Sequence, residues 1–128
     1  MTPTRAVFRQ IYNEARQTMD TFDYLPDGSA KYPFCFVEYG TNYKTLNSDL
    51  MGNVHIRVHW YGKRKDVKEI DKAMVKLHDG LTRMNSLFTP YHMRMRSWTD
   101  RHLPNPSDAP DVAHFIAEIT ILYTRKEV

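Results

Sequence analysis

The chain has 128 residues, of which 41% are hydrophobic and 26% charged, so it is long enough to bury one core without support from a metal or a disulfide. A single cysteine excludes an internal disulfide, and without an apolar signal or spanning segment we expect neither secretion nor membrane insertion. The formal net charge is +3, but residues 1–52, 53–96 and 97–128 carry −1, +6 and −2, so basic groups concentrate in the middle.

The first forty residues predict one helix and one strand. Thr2 followed by Pro3 is typical of a helix start, because threonine caps the first turn and proline suits the first helical position. The apolar residues that follow share one side of that helix: Val7, Phe8, Ile11, Tyr12, Ala15 and Met19. After a turn at Leu25–Gly28, residues 32–39 are aromatic and β-prone, and Pro33 must lie at the start or edge of that strand.

The middle of the chain predicts a strand followed by a helix. Residues 40–52 are polar and bounded by glycines, which predicts a long hairpin connection or a short, poorly packed strand. Residues 53–61 alternate, with Val54, Ile56, Val58 and Trp60 on one face and His55, Arg57 and His59 on the other. Between Lys63 and Arg83 the apolar period becomes helical, and four lysines lie opposite the apolar side: Lys65, Lys68, Lys72 and Lys76.

The last third predicts two further strands separated by a loop. Residues 91–98 alternate, residues 100–111 contain three prolines and should lack regular structure, and residues 112–123 alternate again. The order α-β-β-α-β-β favours a single α+β domain over residues 1–128. It should contain an antiparallel or mixed sheet of four to five strands with two main helices on one face, and flexible loops at about 40–52 and 100–111.

The apolar sides of these elements define the predicted core. Its members come from the second strand, the second helix and the last strand: Val54, Ile56, Val58, Trp60, Val67, Ile70, Met74, Leu77, Phe115, Ile119 and Ile121.

The sequence contains no pattern that predicts catalysis, a cofactor or a metal. His55 and His59 point to one face of a strand but lie about 13 Å apart, too far to chelate one ion. Cys35 sits inside an aromatic strand, where cysteine is usually a small buried hydrophobe rather than a nucleophile. Glu38 and Glu118 are strand carboxylates, which usually solubilise a surface or pair with basic residues on the next strand. We therefore predict that the protein is not an enzyme.

The basic strand faces allow two interpretations. If the two strands are neighbours, His55, Arg57 and His59 could join His92, Arg94 and Arg96, and a nearby Tyr61 or Trp98 could stack on bases as in small RNA-binding folds. The RNP aromatic signatures are absent from the sequence. A surface that meets water or another subunit is therefore favoured, and no specific nucleic-acid readout is expected.

The segment from residue 32 to 81 resembles the small tail-completion or tail-terminator proteins of long-tailed bacteriophages. The resemblance consists of a Pro-Phe strand, a polar loop, and a strand ending in Trp or Tyr that passes through a basic turn into a helix. The matching residues are Pro33, Phe34, Trp60, Tyr61, Arg64, Val67 and Ile70. The order of elements matches over the whole chain.

This resemblance implies a non-enzymatic structural protein of the virion tail, assembled in the host cytoplasm. Such a protein forms a ring, commonly of six copies, at the head-proximal end of the tail tube, where it ends tube growth and meets the head connector or neck. Its partners would be further copies of itself, the tail tube protein and the neck protein. The basic middle and acidic ends suit head-to-tail contact between copies, and five residues are candidates for that interface: Arg57, Arg94, Arg96, Ile116 and Leu122. The alternative is a small basic nucleic-acid-binding module.

Overall fold

Two helices pack on one face of a mixed six-stranded sheet in the computed structural model, which describes residues 1–28, 30–44, 50–84 and 89–126. The α+β class is thereby confirmed, with six strands where four to five were predicted. In chain order the elements are α1 Pro3–Arg16, β1 Thr21–Phe22, β2 Phe34–Val37, β3 Thr41–Lys44, β4 Met51–Lys63, α2 Val67–Thr82, β5 Tyr91–Leu103 and β6 Val112–Arg125. A 3₁₀ turn at Arg64–Asp66 leads into α2.

The strands follow the order β1-β2-β4-β6-β5 across the sheet, and β3 pairs with β4 beyond β2. All pairings are antiparallel except that of β1 with β2. The ladder between β4 and β6 runs from Met51–Thr124 to Lys63–Val112 and forms the centre of the sheet. Strand β5 therefore lies at one edge, while β1 and β3 form the opposite edge.

The strand pairing is interrupted between β2 and β3, and Gly40 at this point lies very close to β4. The Glu38 amide still donates to the Arg57 carbonyl at 2.9 Å, so the two short strands run one after the other along β4. A Cβ atom at Gly40 would lie 2.4 Å from the His55 carbonyl oxygen and 2.7 Å from Cγ1 of Ile56. Only glycine fits this approach without a shift of the backbone.

Gly40→Ala should therefore destabilise the fold by about 1–3 kcal/mol, because the added methyl group meets backbone that cannot rotate away. Gly28→Ala is the matched control, since nothing lies within 4 Å of a Cβ built there. Urea unfolding of the two variants measures the difference. Equal midpoints would show that the chain at Gly40 moves freely away from β4.

Both helices begin near the predicted positions and turn their predicted apolar sides toward the sheet. The Thr2 hydroxyl accepts from the Arg5 amide at 3.2 Å, and α1 ends at Arg16, before the last predicted apolar position, Met19. Thr18 donates its hydroxyl proton to the Ala15 carbonyl at 2.6 Å just after the helix end. The four lysines predicted on the outer side of the second helix are all exposed: Lys65, Lys68, Lys72 and Lys76.

The core lies between the helices and the inner face of the sheet. Eight of the eleven predicted core side chains are buried there: Val54, Ile56, Val58, Trp60, Ile70, Leu77, Ile119 and Ile121. Val67, Met74 and Phe115 are only partly buried. They lie along the margin of α2 beside the edge of the sheet, where surface hollows open between the two layers.

One of the two alternatives predicted for residues 40–52, a short strand, is present as β3, and the second predicted loop is shorter than expected. Residues 41–44 form β3, and residues 45–49 lie outside the described residues. Strand β5 continues to Leu103, so only residues 104–111 connect it to β6. The prediction of irregular structure over 100–103 was wrong because the prolines begin at position 104 and do not interrupt the ladder with β6.

Candidate interaction surface

The face of the sheet opposite the helices, here called the outer face, carries most of the polar side chains of the central strands. On β4 it presents His55, Arg57, His59 and Tyr61, and on β6 it presents His114, Ile116, Glu118, Thr120 and Leu122. These residues alternate with the buried core positions, so the period of two that fills the core also defines this surface.

The two basic strand faces predicted from sequence are not adjacent, because β6 lies between β4 and β5. Arg57 forms an ion pair with Glu118 of β6 at 3.4 Å, as expected for a strand glutamate. Trp98 lies on the helix side of the sheet, where its ring centroid is 6.4 Å from that of Trp60. The continuous basic and aromatic platform that the nucleic-acid interpretation required is therefore not formed.

A row of hydrogen-bonded polar side chains crosses the outer face from Glu38, just after β2, to His114 on β6. His59 Nε2 lies 2.9 Å from a Glu38 carboxylate oxygen, and His59 Nδ1 lies 3.0 Å from His114 Nε2. An ionised carboxylate only accepts, so His59 donates from Nε2 to Glu38. In its neutral form His59 then accepts at Nδ1 from His114. Tyr61 stacks on the His114 ring with a centroid distance of 4.2 Å.

The environment of these polar side chains keeps His114 neutral near pH 7. Burial, together with the smaller effect of positive charge on His59 and His102, lowers the pKa of His114 to about 4. Burial also raises the pKa of Tyr61, and the nearby Glu38 carboxylate adds to that effect. The cluster is therefore a partly dry, hydrogen-bonded patch on the outer face.

Stability should fall as the pH is lowered from about 6.5 to about 4, because His114 gains a proton in the unfolded chain before it does so in the folded one. The full difference in pKa corresponds to about 3 kcal/mol, and we expect roughly half of it because solvent screens a partly buried ring. Unfolding midpoints near pH 7 and near pH 4.5 measure the loss. His114→Phe should reduce the pH dependence, whereas His92→Gln, which alters an exposed histidine, should not. The same pH dependence in both variants would contradict the assignment.

The five candidate interface residues occupy three different settings. Arg57 is paired with Glu118, and an Nη atom of Arg96 donates to the Asn53 side-chain oxygen at 3.3 Å. Arg94 and Leu122 are direct neighbours across the β5–β6 ladder and border a surface hollow of about 290 Å³.

Ile116 is 4% exposed, so it has little surface left to add to a subunit contact, and its role there stays a prediction. It lies on β6 directly between His59 of β4 and Arg101 of β5. Long side chains on both neighbouring strands shield an isoleucine in the middle of a sheet even where no helix covers that face.

The free thiol has the setting of a structural residue. Cys35 is fully buried, and burial raises its pKa to about 12, so the thiolate needed for nucleophilic attack is not formed near neutral pH. Among residues 1–28, 30–44, 50–84 and 89–126, no three histidine, cysteine or acidic side chains converge on a metal site. No helix in that part of the chain is long and apolar enough to cross a membrane.

Comparison with known protein families and with curated proteins finds no match to this chain. By its architecture the protein is a two-layer α+β domain. In the described residues, no helix covers the outer face of its sheet.

Proposed function

We propose that the chain is a structural virion protein that forms a ring at the head-proximal end of a phage tail. The ring ends growth of the tail tube and joins the tail to the head. The observation that carries this proposal is the open sheet: its two edges lie on opposite sides, and in the described residues β5 pairs only with β6 and β1 only with β2. A molecule with two different contact edges on opposite sides can join identical copies head to tail, which is how rings close.

The placement of the resembling residues supports the same proposal. Pro33 and Phe34 lie at the start of β2, and Trp60 and Tyr61 lie near the end of β4. The 3₁₀ turn with Arg64 then leads into α2, where Ile70 is buried. The strand, basic turn and helix are thus one continuous structural unit, as they are in the proteins that the sequence resembles.

The proposed role needs three kinds of partner and no cofactor. Further copies of the chain, six in the assembled tail, would form the ring. The tail tube protein would lie on one side of the ring, and a connector or neck protein would lie on the other. The proposed location is the tail of the virion, after assembly in the host cytoplasm. The proposal does not include an enzymatic activity.

Tail tube assembly provides the test. Tube protein encoded by a neighbouring gene is polymerised with and without this chain, and tube length is measured by electron microscopy. We expect bounded tubes with a ring at one end, and a ring mass in light scattering at high protein concentration. Tubes of unchanged length, together with a protein that never binds their ends, would overturn the proposal.

The nucleic-acid alternative has one supporting observation, the row of exposed lysines on α2 described above. Binding through such a row would depend on phosphate contacts and weaken steeply as salt increases. Retention on DNA and RNA columns between low and physiological salt tests it. Reversal of two of these charges, Lys68→Glu with Lys76→Glu, should abolish retention if this alternative is right.

A further inference from the structure

Strand β5 presents, within the described part of the chain, a row of backbone groups at the edge of the sheet that no other strand pairs with. The Lys126 amide donates to the Pro90 carbonyl at 2.8 Å, just beyond the pair Tyr91–Arg125. In an antiparallel ladder this fixes which residues turn their backbone N–H and C=O groups away from β6. Allowing for the bulge between Met95 and Ser97, the outward groups without a described partner belong to Met93, Met95, Trp98, Asp100 and His102. The backbone groups of Tyr91 also face outward, but the Tyr91 amide donates to the Thr89 hydroxyl at 3.3 Å and its carbonyl accepts from that hydroxyl at 2.8 Å.

The opposite edge of the sheet is level with one end of β5. Following the ladders across the sheet, Arg101 pairs with Ile116, Ile116 with His59, His59 with Phe36, and Phe36 with Phe22 of β1. The same pairings make β1 antiparallel to β5. A second copy displaced sideways would therefore bring its β1 alongside β5 in the antiparallel orientation, with Phe22 near Arg101.

The two edges carry opposite charge. Strand β5 exposes three arginines against one aspartate: Arg94, Arg96, Arg101 and Asp100. The segment from residue 20 to 31 around β1 exposes three aspartates against one lysine: Asp20, Asp23, Asp27 and Lys31. In the register above, Asp20 lies diagonally opposite Arg101 on the same face and can pair with it, while Asp23 lies opposite Asp100. Over the two segments the net charges are opposite, whereas contact of β5 with a second β5 would oppose like charges.

Apolar groups flank the same two segments. Tyr24 and Leu25, just after β1, are 60% and 59% exposed. Beside β5, one hollow of about 270 Å³ is lined in part by Met74 and Trp98, and another of about 460 Å³ by Val67 and Phe115. Exposed aromatic and aliphatic side chains that enter hollows of this kind supply most of the affinity in protein contacts, and ion pairs at the rim supply orientation.

We propose that the ring is closed by pairing of β5 in one copy with the β1 edge of the next, so that the sheet continues from subunit to subunit. This inference rests on the proposed function, because it names the contact that would build the ring. Its partner is a second copy of this chain, held by the opposite charges and apolar groups of the two edges and by backbone hydrogen bonds. On β1 the outward residue is Thr21, whose carbonyl already accepts from the Tyr12 hydroxyl at 3.3 Å, so the Thr21 N–H is the group that would pair with β5.

A charge exchange between two variants tests this contact. One variant carries Arg101→Glu, and the other carries Asp20→Lys. Each alone should need at least about tenfold more protein to assemble, and an equimolar mixture should assemble as the unmodified protein does, because each reversed edge then meets its complement. The control is Lys76→Glu, which changes the net charge as much as the first variant but lies on α2. Circular dichroism confirms that each variant is folded.

Disulfide trapping detects the contact even where the ring dissociates readily. Asp23→Cys with Asp100→Cys, which face each other in this register, should give a ladder of covalent oligomers under oxidation, while Asp23→Cys with Lys76→Cys should not. The buried Cys35 does not interfere. Unimpaired assembly of both charge variants, or failure of their mixture to recover, would overturn the edge contact and leave the ring standing. A monomer at every concentration with no trapped ladder would overturn the contact and the ring together.

Discussion

Ile70→Ala is expected to lower the free energy of unfolding by roughly 2–5 kcal/mol, the range for truncation of a buried aliphatic side chain. Ile70 is fully buried on the sheet side of α2. Its Cδ1 atom lies 2.7 Å from the position that a Cβ atom at Gly62 would take, so the side chain fills the space left by that glycine on β4. Its removal leaves a cavity between helix and sheet that neither element can close by moving alone.

Val75→Ala is the matched control on the same helix, because Val75 is 54% exposed and should change stability by less than about 0.5 kcal/mol. Urea unfolding followed by circular dichroism gives both values. If Ile70→Ala and Val75→Ala have the same midpoint, the packing of α2 on the sheet is not as described.

Leu122→Glu should impair assembly of the proposed ring more than Arg94→Ala does, by about tenfold or more in the protein concentration required. Leu122 is partly exposed on the outer face beside the hollow that it shares with Arg94. A glutamate there would have to lose water when a neighbouring copy covers the hollow. Loss of Arg94 removes only a rim charge, worth about 0–1 kcal/mol.

Two measurements make this comparison decisive. Light scattering across concentration gives the assembly of each variant, and unfolding of the dilute protein shows whether Leu122→Glu remains folded. Unimpaired assembly would exclude the hollow from the subunit contact. An unfolded variant would instead assign Leu122 to the core of the subunit.

The strands with regular alternation could be predicted from sequence, but their neighbours in the sheet could not. Positions 54–60 alternate cleanly, and β4 follows that pattern. The insertion of β6 between β4 and β5 joins residues far apart in the chain and leaves no local signal. Strand β1 has only two residues and pairs parallel to β2, so it is too short for any period to show.

The full length of β5 could not be predicted for a different reason. Met95 and Trp98 both lie on the helix side of the sheet because a bulge inserts one residue between them. The inward residues are then three positions apart rather than two, so the alternation in the sequence is interrupted at the bulge although the strand continues to Leu103.

The candidate surface was predictable only in part. Alternation placed His59 on the outer face, and the pairing of Glu118 with a basic residue of the next strand was expected. The contact of His59 with both Glu38 and His114 depends on the sheet order, so no spacing in the sequence could reveal it. The burial of Ile116 was missed for the same reason.

The central position of β6 also bears on the kinetics of folding. Strands β5 and β6 are consecutive and can form a hairpin early, whereas the ladder between β4 and β6 closes a much longer loop. We expect docking of that hairpin onto β4 to limit the folding rate. Ile119→Val, on the inner face between the two ladders, should then slow folding about as much as it destabilises the protein, while Ala6→Gly in α1 should mainly accelerate unfolding. Until docking occurs, the hairpin exposes both of its edges, and a nascent or heated chain is most prone to aggregate at that stage.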